Sequence, residues 1–406
     1  MNLGPENHSP SLTQKIVYAG GNGVSETCAA EMLRQLADLV VPLDTIRQYT
    51  TRVGQEFEEI RKEAVRAFNE NGPPEGSEAG TPPVAVVEMD GGRAQVRKED
   101  QPRGVHGPTW CEPRYASFRS LVQETHSTDP HPEVPQAFLD RSHVEALTEG
   151  LLTTRPRTHD PQQNPNSPEP PKHARSRSHK QPKVLLQTCI ASRVPAAEFG
   201  AMVACEAAQR GFYRSPRKAF IADGQSSNWN IFRDYFPDWT DILDFIHLVA
   251  HLFAAARAAR PKSPEAWELY VHLVTAAWGG KVEEILARLQ RELKRLGPPP
   301  EGAGDNHPTT ILSKAMGYVQ NNATRMNYPE YRRLGFPMTS CYMESLIKRF
   351  NFRVKASDKF WISRGLEAVL QIRAAWLSQD GRWERHWQTR AQRVAQSRRH
   401  YHRSAA

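Results

Sequence analysis

The chain has 406 residues, a formal net charge of +8 and nine tryptophans, enough length for two or three domains with sizeable cores. Its five cysteines (Cys28, Cys111, Cys189, Cys205, Cys341) form no C-x-x-C pair, which argues against a cysteine zinc module and a disulfide framework, and no apolar run reaches membrane-spanning length. The positive balance points to a polyanionic partner without bearing on the fold. The opening Met1-Asn2-Leu3-Gly4-Pro5 lacks the charged and apolar pattern of a secretion signal, so a soluble cytoplasmic protein with reduced thiols is expected.

Residues 1–70 read as helical. Ser25-Glu26-Thr27 offers an N-cap before a helix from Cys28 to Val40, with Met32, Leu33, Leu36 and Leu39 at helical spacing. Val41-Pro42-Leu43-Asp44 breaks the pattern, and Thr45 to Phe68 resumes it. Helix, short turn, helix in a basic protein suggests a helix-turn-helix DNA-binding region. Asp44 to Gly54 would be its recognition helix, with Arg47 as a DNA contact. A plain helical hairpin that serves packing fits the same pattern equally well.

Residues 71–83 form a Pro/Gly-rich linker. Val84 to Asp90 then reads as a strand ending in Asp90-Gly91, with Gln95 to Lys98 and Arg114 to Val122 returning as antiparallel partners. Residues 84–152 thus make a first α/β portion. Residues 153–183 are poor in apolar residues and rich in Pro, Arg and Ser, and read as a disordered basic linker. A helix from Pro195 to Gly211 leads into the apolar run Lys218-Ala219-Phe220-Ile221-Ala222, which stops at Asp223-Gly224. A helical stretch follows and ends at Pro237. A last strand runs from Thr240 to Asp244 and His247. Two acidic strand ends close in sequence suggest metal-assisted chemistry on an anion, although an ordinary βαβ unit with solvated aspartates has the same pattern.

Residues 248–335 read as all-helical, 336–380 as further helices carrying Glu344, and 381–406 as a basic tail. Lys348, Arg349, Arg353 and Lys355 follow Glu344 as candidate DNA contacts. His247 and His251 lie one helical turn apart, a zinc-compatible spacing without an evident third ligand. Trp376, Trp383 and Trp387 read as core.

The order of these pieces is that of a ribonuclease-H-like domain with an all-α insertion before its last helices. In that order the first and fourth strands lie side by side, which brings Asp90 to Asp223, and the last helix adds Glu344. Phosphodiester cleavage needs such a cluster, because charge on pentavalent phosphorus must be neutralised and a weak nucleophile activated. Val87-Glu88-Met89-Asp90-Gly91-Gly92-Arg93, Ala222-Asp223-Gly224 and Thr339-Ser340-Cys341-Tyr342-Met343-Glu344-Ser345 resemble motifs of the DDE transposases of bacterial insertion sequences. The likeness is to the ISKra-type group, relatives of the Mutator-like enzymes. Ile242-Leu243-Asp244-Phe245-Ile246-His247 and Asn322-Ala323-Thr324-Arg325-Met326-Asn327-Tyr328 extend it.

The resemblance implies an enzyme that cuts at element ends and joins 3′-hydroxyls to target DNA. It implies Asp90, Asp223 and Glu344 as ligands of two Mg²⁺ or Mn²⁺ ions, with Asp244 and His247 as accessory residues. Double-stranded DNA, a homo-oligomer assembled on it, no membrane partner and a nucleoid-associated bacterial location belong to the same expectation. Cys341 stands where the family usually has glycine, and Ala250 where it often has glutamate. A non-catalytic DNA-binding relic and a metal-dependent nuclease without strand transfer are the alternatives.

Overall fold

A computed structural model describes residues 8–72, 80–97, 109–122, 124–149, 151, 183–355 and 359–404. The basic linker expected over 153–183, with its Lys172–Lys180 cluster, lies almost wholly outside them. The described elements, in chain order, begin with helices α1 (Pro10–Asn22), α2 (Glu26–Ala37) and α3 (Leu43–Asn71), then strands β1 (Val84–Gly91), β2 (Ala94–Arg97), β3 (Thr109–Cys111) and β4 (Arg114–Val122). Next come α4 (Arg141–Thr148), β5 (Lys183–Ser192), α5 (Ala196–Gln209), β6 (Arg217–Ala222), α6 (Ser226–Tyr235) and β7 (Thr240–Leu243). Five helices follow: α7 (Phe245–Ala259), α8 (Ser263–Trp278), α9 (Val282–Leu296), α10 (Pro308–Asn321) and α11 (Tyr328–Arg333). The chain closes with α12 (Cys341–Val354), β8 (Trp361–Ile362), α13 (Ser363–Leu377) and α14 (Arg382–Ser404). The protein is therefore α/β, with helices outweighing strands.

The chain divides into two compact units interleaved in sequence, one of residues 1–120, 184–215 and 341–406, the other of residues 121–183 and 216–340. In the first, β5, β4 and β1 are neighbours in that order, and a separate sheet runs β3-β2-β8. β2 is antiparallel to β3, with Gln95 opposite Trp110, and parallel to β8. The sequence therefore misplaces β2: it does not return alongside β1 but starts its own sheet. β5 is a strand that the sequence reading passes over. Its run Val184-Leu185-Leu186-Gln187-Thr188-Cys189-Ile190-Ala191 has strand composition, but it adjoins a segment that reads as linker.

The first unit has a core where Tyr115, Cys189, Met343, Leu346, Phe350, Leu366 and Leu370 meet from β4, β5, α12 and α13. A second cluster joins Ile16, Val17, Ala29, Leu33, Ile46 and Val53 of α1 to α3 to Ile372, Ala375, Trp383 and Trp387. The N-terminal helices thus bury their apolar faces against α13 and α14. α2 carries the expected cap: Ser25 Oγ accepts from Cys28 N at 3.1 Å. α1 falls within the stretch read as helical without being delimited there; Ser9-Pro10 is an N-cap followed by proline at N1, and Leu12, Ile16 and Val17 keep helical spacing.

In the second unit β6 and β7 are parallel, Ala222 opposite Leu243, and α6 is the crossover between them. Phe220 of β6 meets Trp229, Phe232 and Phe236 with ring centroids 5.4–6.1 Å apart, which docks α6 on the strand. Helices α7 to α11 realise the all-α stretch. Phe245 at the start of α7 is enclosed by Phe138, Trp278 and Tyr328.

Candidate active site

In the second unit an apolar strand ends in a carboxylate. Phe220, Ile221 and Ala222 are buried, and Asp223 emerges half-buried beyond them. Its Oδ1 accepts from Gln225 N at 3.0 Å and from Asn228 Nδ2 at 2.9 Å. The carboxylate is thus held through one oxygen by the start of α6. Gly224 is required next to it, because a Cβ there would fall 2.1 Å from the Tyr318 ring. The Tyr318 hydroxyl is buried beside the Gly224 backbone. Burial, then the charges of Asp223 and Asp244, push its pKa far up, so the phenol stays protonated.

Asp244 follows β7 and caps α7. It is fully buried, and its Oδ1 accepts from Ile246 N and Ser340 N, both at 3.1 Å. Its Oδ2 accepts from the Ser340 hydroxyl and lies 2.6 Å from His247 Nδ1. Burial works to raise its pKa, but the His247 and Ser340 bonds outweigh it and hold the carboxyl below its usual range. The anionic Asp244 fixes the proton of His247 on Nδ1, which leaves Nε2 as the basic nitrogen. His251 has a different setting. It stacks on Tyr318 with ring centroids 3.8 Å apart, and burial with the nearby His247 pushes its pKa down to about 4. It is a neutral packing histidine, as its lack of a third ligand partner in sequence suggests.

In the first unit β1 ends likewise. Val84 to Met89 are buried, and Asp90 emerges with its Oδ1 accepting from Gly91 N at 2.7 Å. α12 lies against β1 and carries Glu344 in its first turn. Glu344 has Lys348 one turn on, at 3.9 Å. The helix is set on the strand by a pair that sequence reasoning misses. Glu88, on the same strand face as Asp90, accepts from Arg119 Nη2 of β4 at 2.5 Å, and both are buried. The Arg119 guanidinium lies 4.2 Å from the centroid of the Tyr342 ring, two residues before Glu344. The signal in sequence is a charged residue inside each of two apolar strands, which must pair if the strands are buried.

No protein-family model and no curated protein matches this chain.

The five candidate DNA contacts divide. Lys348, Arg349 and Lys355 are exposed. Arg47 is exposed on α3 and paired with Asp44 at 2.8 Å; Ile46, Tyr49, Thr50, Val53 and Gly54 are buried on the other side of that helix. Arg353 leaves the set: it is buried, donating to Gly20 O at 3.0 Å and to Glu26 at 3.1 Å. Its guanidinium is a bolt between α12 and the N-terminal helices, not a surface cation. Ser340, just before α12, gives its hydroxyl to Asp244. Trp383 and Trp387 are core, whereas Trp376 is partly exposed, edge-on to Tyr18.

The donors on offer are hard carboxylate oxygens and one imidazole, a set suited to Mg²⁺ or Mn²⁺. Among the described residues no helix is long and apolar enough to cross a membrane.

Proposed function

We propose that the chain is a DDE-type DNA transposase built on a ribonuclease-H-like sheet, with Asp90, Asp223 and Glu344 as its metal-binding carboxylates. The observation that carries the reading is a repeated design: β1 and β6 are each buried apolar strands whose chain emerges at an Asp-Gly step. The ribonuclease-H-like order sets β1 beside β6, so the two steps would share one edge, where open α/β sheets keep their sites. α12, resting on β1, adds Glu344.

Two divalent ions, when bound, would neutralise charge on the phosphorus and lower the pKa of the attacking hydroxyl. The chain's own groups do the rest. Asn228 and Gln225 fix Asp223 through one oxygen. Asp244 keeps the proton on His247 Nδ1 and so presents Nε2 as an acceptor toward the substrate. Lys348 and Arg349, exposed on α12, hold DNA phosphates near Glu344.

Cleavage of supercoiled plasmid carrying the gene's flanking DNA, with Mg²⁺ or with chelator, tests this. Asp90→Asn and Asp223→Asn should abolish cleavage, because each removes an anionic ligand. Asp244→Asn, which acts through His247, should cost roughly 10–100-fold. A fully active Asp223→Asn beside a dead Asp244→Asn would refute the choice of carboxylates. Cleavage without joining would favour a nuclease, and binding without cleavage a relic.

A further inference from the structure

β8 has only two residues, yet it fixes an arrangement in the first unit. It pairs in parallel with β2, Val96 opposite Trp361 and Arg97 opposite Ile362. Residues directly across a ladder share a face, and successive residues alternate. Val96 and Trp361 pack on the unit's core, so Arg97 and Ile362 belong to the opposite face. There a groove of about 600 Å³ opens between this strip and the start of α3. Arg47, Arg97, Arg353 and Arg364 line it, with Glu26 and Asp44 as the only carboxylates among the described residues that line it. The excess is positive even with Arg353 bound to Glu26 and Arg47 to Asp44. Phe360 and Ile362, each 37 % exposed, give the same groove an apolar wall.

Cations beside accessible aromatic rings form the pattern that holds unpaired nucleotides, whose bases stack while their phosphates meet arginine. The groove's volume falls within the roughly 300–1,000 Å³ typical of small-ligand sites, the scale of one nucleotide. We propose that this groove binds single-stranded DNA, with a base on Phe360 and phosphates on Arg97 and Arg364. The inference rests on the DNA-transposase reading but concerns a different surface, whose lining includes none of Asp90, Asp223 and Glu344.

The test uses the full chain and fluorescence anisotropy with a short labelled oligothymidylate and, in parallel, a duplex. Phe360→Ala and Arg364→Gln alter exposed side chains, and Arg97→Gln provides a third variant. Phe360→Ala should weaken oligothymidylate binding by about tenfold or more, in keeping with the loss of a stacked base, while duplex affinity changes less than about twofold, since phosphate contacts elsewhere are intact. Irradiation of a 5-iodouracil oligonucleotide should crosslink the peptide containing Phe360 and Trp361. Wild-type affinity for oligothymidylate in all three variants would overturn the proposal, as would equal competition by polyglutamate. Duplex binding without oligothymidylate binding would overturn the groove alone. Oligothymidylate binding that depends on Phe360, with no duplex binding, would uphold the groove and count against the transposase reading.

Discussion

His251 is a histidine that the fold keeps neutral. Its pKa falls from an unfolded value near 6.5 to about 4, through burial first and the neighbouring His247 second. Between those values the unfolded chain binds a proton that the folded one does not, so stability drops as pH falls through that window. The loss from pH 7 to pH 5 should be roughly 1–2 kcal/mol. Urea midpoints at the two pH values measure it; His251→Gln should flatten the dependence, and an unchanged slope would show that other groups cause it. At this scale the place of Asp90 and Asp223 at strand ends was legible, because an apolar run that halts at Asp-Gly is visible in the sequence at both. Arg353 was misread for want of one step. Met343, Leu346, Phe350 and Val354 are buried at helical spacing, and Arg353 adjoins Val354 on the same inward side. A basic run says where charge is, whereas the period says which charges face in.

The contact of α3 with α13 depends on a residue without a side chain. A Cβ on Gly54 would lie 2.5 Å from the Cα and carbonyl oxygen of Ala368, backbone atoms that cannot step aside. Gly54→Ala should therefore destabilise the first unit by about 1–3 kcal/mol, despite alanine's better helix propensity. Thermal unfolding decides: a raised Tm would mean that the helices do not approach so closely. α12 supports a second expectation. Glu344→Gln keeps its shape and removes its charge, so cleavage should collapse while DNA affinity holds or rises, one negative charge near phosphates being gone. Parallel cleavage and binding assays on that variant would contradict the account if cleavage stayed at the wild-type level. Elements with strong periodicity, such as α2, α3 and α5, could be read directly. β5 could not, because its partners lie in β4, distant in sequence, and local composition merges it with the preceding Pro/Ser-rich stretch. Nor could the place of β2, since a short strand after Gly91-Gly92 suits a hairpin as well as a new sheet.

Across the whole molecule, two units are threaded through one another in sequence, so neither is a contiguous domain. The α/β class and the all-α stretch after β7 were legible from the order of apolar runs and breakers. The interleaving was not, because it is set by contacts between segments such as α3 and α13 that share no local pattern. With a net charge of +8, DNA affinity should fall steeply with salt through counterion release. The central claim is that carboxylates at the ends of β1 and β6, with Glu344 on α12, perform phosphodiester chemistry on DNA ends. Strand transfer measures it most directly: duplexes taken from the DNA flanking the gene, pre-cut to expose a 3′-hydroxyl, are incubated with plasmid and Mg²⁺. The wild-type chain should join them to the plasmid, and Asp223→Asn should bind the same duplexes but join none. Joining by Asp223→Asn at the wild-type rate would contradict the account.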